Sequence, residues 1–118
     1  MRPNASDPKQ IARAARKERD RRAIEIADMR AVLETPAGRR TLWRLLSHCS
    51  VFESIFSASS LIYANAGRQD VGHFVMAEIE AADPEAIFTM MREHRARQER
   101  EALEAEASQT PTAQEPSL

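Results

Sequence analysis

The chain has 118 residues, 42% hydrophobic, 30% charged and 5% aromatic, with a net charge of −1 and one cysteine. That is the length of one domain, and its Ala, Arg, Glu and Leu are residues that lose little freedom in a helix. One cysteine cannot close an internal disulfide and points to a reducing compartment; no apolar run approaches the roughly 20 residues that span a bilayer, and the opening "MRPNASDPKQ" lacks the apolar stretch of a secretory signal.

The pattern predicts an all-α fold: a four-helix small domain with long charged first and last helices and a disordered C-terminal tail. Residues 1–7 are expected to be a flexible N-terminus. Three helix starts use one device. Asp7-Pro8, Thr35-Pro36 and Asp83-Pro84 each set a side-chain oxygen, which accepts an orphan backbone N–H, before a proline suited to the first helical position. The first helix is expected from Pro8 to Leu33, with Gln10 completing a capping box with Asp7. Its first half is mostly Arg, Lys and Ala; Ile26, Met29 and Leu33, with Val32 beside them, make an apolar face later on. The second is expected from Pro36 to Cys49, where Leu42, Leu45, Leu46 and Cys49 share one face. The third starts near Ser57 or Ser59, so that Ser60 to Ala82 is helical. Val71, Phe74 and Val75 form a stripe that Met76 and Ile79 extend, the pattern of a central helix, and Gly67 and Gly72 read as points of close helix approach. The fourth starts at Pro84 and frays after Leu103; Ile87, Met90 and Met91 face inward, with Phe88 on the flank. Residues 8–107 thus form one domain with a compact core at 24–91, and residues 108–118 form the tail. A core of that size buries roughly 60% of its unfolded surface and is marginal alone.

The charge is uneven. Residues 1–59 hold twelve Lys/Arg and seven Asp/Glu, whereas residues 60–118 hold five and eleven. Such polarity suits head-to-tail contact between copies, or between helices of one copy. Arg13, Arg16, Lys17, Arg19, Arg21 and Arg22 make a basic arm, but they spread around the helix and have no aromatic stacking platform beside them. A solvated or partner-bound helix is the favoured reading, with Ile11, Ala14 and Ala15 as a seed for contact with another helix; nucleic-acid contact is the alternative.

Candidate chemistry is sparse. His48 and Cys49 are neighbours on a helix and point about 100° apart, so Cys49 reads as core. His73 and His94 complete no metal set, and there is no C-x-x-C, H-E-x-x-H or EF-hand loop. Gly67 and Gly72 lack the strand and the Lys-Ser/Thr of a phosphate loop. No catalytic, cofactor-binding or metal residue is assigned, and no enzymatic activity is expected. Arg39, Arg40, Arg44 and Arg68 are expected to form ion pairs within or between chains, with Glu53, Asp70, Glu78 and Glu80 as available partners. Trp43 lies off the leucine face beside Arg39. An arginine-rimmed tryptophan resembles an interface anchor, or else it covers the fourth helix. Arg39, Arg40, Trp43, Arg44 and Arg68 are thus the candidate interface.

The segments "TPAGRRTLWRLLSHCSVF", "AGRQDVG" and "AEIEAADPEAIFTMMRE", in that order, resemble a family of small tailed-phage proteins typified by a Bordetella podophage gene product. The resemblance covers roughly Ala31 to Glu93. Its most specific parts are Gly38-Arg39-Arg40, Leu42-Trp43-Arg44-Leu45-Leu46, Cys49 with Val51-Phe52, Gly67-Arg68, Val71-Gly72 and Asp83-Pro84-Glu85. Where the family tends to follow the Gly-Arg with a second arginine, this chain has Gln69, which interrupts a basic patch on the third helix. The resemblance implies a phage protein associated with virion-assembly genes and carries over no site chemistry. The expected role is a non-enzymatic virion or assembly protein in contact with copies of itself or with phage structural proteins, in the host cytoplasm during assembly, with retention in the virion left open, and with no membrane or small-molecule partner. The alternative is a nucleic-acid-associated protein using the basic first helix.

Overall fold

The computed structural model describes residues 7–52 and 61–109. They form four helices, α1 (Pro8–Leu33), α2 (Pro36–His48), α3 (Leu61–Ala82) and α4 (Ala86–Gln109), and no strand is present among the described residues. The expected flexible residues 1–6, the helix start near Ser57 or Ser59 and the tail beyond Gln109 lie outside the described residues.

The three oxygen–proline devices all cap, with different geometry. The Asp7 carboxylate accepts the Lys9 N–H at 3.0 Å, one residue short of the Gln10 amide that a capping box would use. Thr35 Oγ1 accepts the Gly38 N–H at 3.0 Å. Asp83 Oδ1 accepts the Glu85 N–H at 3.0 Å while its carbonyl accepts the Ala86 N–H at 3.1 Å. That bond closes a tight turn, so regular helix begins at Ala86, two residues later than expected. At its far end α4 reaches Gln109, so Ser108 and Gln109 belong to the helix and not to a tail.

The end of α2 is built without glycine. Cys49 is its C-cap, and Ser50 takes a left-handed φ of 56°. The Ser50 N–H bonds Ser47 O and the Val51 N–H bonds Leu46 O, the paired closing bonds of a Schellman turn. Gln69 of α3 donates Nε2–H to the Ser50 carbonyl at 3.0 Å and ties this turn down.

The core gathers where the interhelical turns are. Leu33 ends α1, Ala82 ends α3 and Ala86 opens α4; these join Leu42, Leu46, Ile79, Ile87 and Met90, with Ile26, Met29, Trp43, Val51, Val75 and Met76 packed around them. Helices α2 and α3 each pack on the three others, whereas α1 and α4 touch each other only marginally. Arg22 bonds Glu78, and Arg30 Nε donates to the Ala82 carbonyl at 2.9 Å. These contacts follow the same order along both helices, so α1 and α3 run alongside in one direction. The second also places a cation at the negative end of α3.

Four sequence expectations change. Ile24 and Met91, the expected ends of the core, are exposed. Val71 and Phe74 are exposed at 55% and 65%; the inward side of α3 runs instead through Gly72, Val75, Met76, Ile79 and Ala82. Leu45 sits at the margin of its face, which centres on Leu42, Leu46 and Cys49. The two α3 glycines differ: a Cβ on Gly72 would lie 2.6 Å from Cys49 Cβ and 2.9 Å from Val51 Cγ2, while a Cβ on Gly67 would meet nothing within 4 Å. Gly38 is tighter still, because a Cβ there would lie 1.9 Å from the Val32 carbonyl oxygen.

Alanine at the two α3 glycines should therefore act in opposite directions. Gly72→Ala should destabilise by about 1–3 kcal/mol, since Cys49 Cβ cannot retreat without moving backbone. Gly67→Ala should stabilise by about 0.5–1 kcal/mol, the ordinary gain in helix propensity. Urea unfolding followed by helical circular dichroism measures both; equal signs would refute the packing assignment.

Candidate interaction surface

Thr35 and Pro36 start α2 so that Arg39 lies one turn in, on the side facing both α1 and α4. Its guanidinium meets Glu93 of α4 through two parallel bonds, Nε to Oε1 at 2.7 Å and the second amino group to Oε2 at 3.1 Å. The remaining amino group donates to the Leu33 carbonyl at 2.8 Å, one of the four carbonyls that α1 leaves unsatisfied at its end. The sequence reading named Glu53, Asp70, Glu78 and Glu80 as available partners for the arginines. Glu93 takes Arg39 instead, and Glu78 pairs with Arg22 of the basic arm.

Electrostatics follow the geometry. The Arg39 hydrogen bonds hold the Glu93 carboxyl below the usual glutamate range; burial opposes this, and the charges of Arg39, Arg97 and Arg40 reinforce it. The same carboxylate raises Arg39 above its already high value.

Trp43, four residues after Arg39, turns onto the same helix. Its ring lies 5.0 Å from the His94 ring of α4 and 5.4 Å from the ring of Phe52, with which it stacks. It is half-buried against the core, and its indole N–H is buried without a hydrogen-bond partner among the described residues. Of the two sequence readings of Trp43, the geometry matches the cover for the fourth helix. Phe52, 45% exposed, carries the aromatic cluster to the surface.

The five candidate interface residues differ in their surroundings. Arg39 is spent on internal bonds. Arg40 is exposed and borders a hollow with Glu93, Ala96, Arg97 and Arg100. Arg44 is exposed among Thr41, Leu45 and His48. Arg68 stands on α3 and donates to Asn65 Oδ1 at 2.7 Å. Glu93 and His94 were missed in the sequence, although they continue the Ile87/Met90 face at helical spacing.

The basic arm is fully exposed from residue 9 to residue 21. Arg21 pairs with Glu18 at 2.7 Å, and Arg22 reaches Glu78 of α3 and Glu25. Arg13, Arg16, Lys17 and Arg19 take part in none of the ion pairs among the described residues. No three His, Cys, Asp or Glu side chains among the described residues converge as metal ligands do. Cys49 is buried, and no described helix is long and apolar enough to cross a membrane.

The Arg39–Glu93 pair generates a pH dependence. Glu93 has a lower pKa folded than unfolded, so its contribution is complete above the ordinary value of 4.5. It declines below that value and is lost once the pH falls through the folded one. Glu93→Gln should lower stability at neutral pH by about 1–2 kcal/mol, as expected for a bidentate pair that keeps some solvent exposure. The gap between parent and variant, read from urea midpoints, should close in acid. A gap that stays constant as the solution is acidified would contradict the assignment.

Comparison with known proteins adds one positive finding. No curated protein and no solved structure matches the chain. The family model for Bbp19-like phage proteins matches residues 29–92, which include the end of α1, all of α2 and α3, and α4 as far as Arg92. That is more than half of the chain, and it holds the buried core and Arg39: the protein belongs to the Bbp19-like phage protein family.

Proposed function

We propose that this phage protein is a non-enzymatic assembly component that works through protein–protein contacts, either between copies or with a larger head or tail component. The observation that carries this reading is the pair of helical arms. Residues 9–21 of α1 and 98–109 of α4 are exposed at every position. Isolated helices of that length are marginal in water, so each arm is best accounted for by something that packs on it. The small core supplies a rigid base from which the arms project. No step of this role calls for a cofactor, a metal or a small-molecule substrate. The site of action is the host cytoplasm during assembly, and the particle if the protein is retained there.

Nucleic-acid binding is the second reading, favoured by the uncommitted cations Arg13, Arg16, Lys17 and Arg19. The two readings separate in one experiment. Tagged protein expressed during infection is followed through a density gradient of assembly intermediates, before and after nuclease treatment. Under the assembly reading it sediments with particles or their precursors and stays there after nuclease. Under the second reading, release by nuclease accompanies binding to duplex DNA that weakens steeply between about 50 and 200 mM salt. Protein that stays at the top of the gradient throughout would contradict the assembly reading.

A further inference from the structure

We propose that the basic arm of one copy packs on the acidic arm of a second copy, head to tail. This names the partner of the arms and so rests on the assembly reading above. Residues 9–21 hold six Lys/Arg and two Asp/Glu, and residues 98–109 hold four glutamates and one arginine. Each arm is about 20 Å long at 1.5 Å per residue, so their lengths match.

Each arm also carries one large apolar side chain, exposed to solvent with alanine one turn away. On α1, Ile11 is 53% exposed. It shares a side with Ala14, Ala15 and, one turn on, Glu18, and Lys17, Arg19 and Arg21 flank that side, Arg21 in a pair with Glu18. On α4, Leu103 is 65% exposed. It shares a side with Ala107, with Glu99 and Arg100 one turn before it, and Glu104 and Glu106 flank that side. Each arm thus offers one apolar anchor, the first set among mostly cationic and the second among mostly anionic side chains, as complementary halves of a helix pair do.

One chain cannot make this pair with itself as it stands. Helices α1 and α4 touch each other only marginally, and the two arms take no part in that contact, since both are solvent-exposed throughout. The second copy is therefore the occupant. Because the two surfaces differ, the contact is heterologous and leaves one arm of each kind open at the ends, so that copies add in series until a ring closes or a filament grows. A series of this kind suits a component placed repeatedly around a particle.

A charge exchange tests the pairing. In the first variant Arg13, Arg16, Lys17 and Arg19 become Glu, which makes both arms acidic. In the second, Glu99, Glu101, Glu104 and Glu106 become Lys, which makes both arms basic. Native mass is measured by light scattering at low and high salt, with circular dichroism to establish that each variant is helical. The parent should associate at low salt and lose mass as salt rises. Each variant alone should run as a single chain, and an equimolar mixture should recover assemblies in which the two alternate. If the variants disturb folding, Ile11→Asp and Leu103→Asp replace them, and each alone should abolish association. A parent that is a single chain at every concentration and salt, or variants that assemble as the parent does, would overturn the pairing. Neither result would remove the assembly reading, which stands or falls on the gradient experiment.

Discussion

One arginine holds three helices in register. Arg39 closes the end of α1 through the Leu33 carbonyl and reaches across to α4 through the Glu93 carboxylate. All three of its nitrogens are used, in the planar fork geometry that lysine cannot reproduce. The position of Arg39 depends in turn on Gly38. The Val32 carbonyl lies so close to that residue that no β-carbon fits. Gly38 lets α2 start directly against the end of α1, and Arg39 then has the reach to clamp both neighbours. The small core forms around this joint, with Leu33, Leu42, Ile87 and Met90 among its members.

A second joint lies at the other end of α2. Ser50 adopts the left-handed conformation that helix ends usually assign to glycine, at a cost of about 1 kcal/mol. The turn it makes places Val51 and Cys49 against Gly72, while Gln69 bonds the Ser50 carbonyl from α3. The strained residue is thus held by the helix it packs on. Both joints share a design: a glycine in one element admits the backbone or β-carbons of another, and a polar side chain nearby locks the approach.

The sequence conveys the fold class and the element order through local signals. The capping oxygens, the prolines and the Leu42/Leu46/Cys49 spacing each act within one helix, and they mark starts and faces well. Properties set between helices were less legible. Val71 and Phe74 carry the same periodic signal as Val75 and Ile79, but α1, α2 and α4 cover only one side of α3, and nothing in α3's own pattern says which. The end of α2 lacks its usual glycine, so no residue marks the Schellman turn. The ion pairs were legible in kind and not in partner, because an arginine's partner is chosen by helix crossing. The charged arms could be read directly, since a solvated helix has no other element to contradict its pattern.

The family match ends near residue 92, while the structure continues as helix to Gln109; it begins at residue 29, some twenty residues after α1 starts. The matched part therefore corresponds to the packed body, and both arms lie outside it. A packed body constrains its residues through volume, as Gly38 and Gly72 show. An exposed arm is constrained only by whatever it meets. If that is the complementary arm of another copy, what must be kept is opposite sign and one apolar anchor, which many sequences satisfy. A body with a recognisable pattern and arms without one is then the expected outcome of a rigid core that presents two self-matching but individually replaceable surfaces.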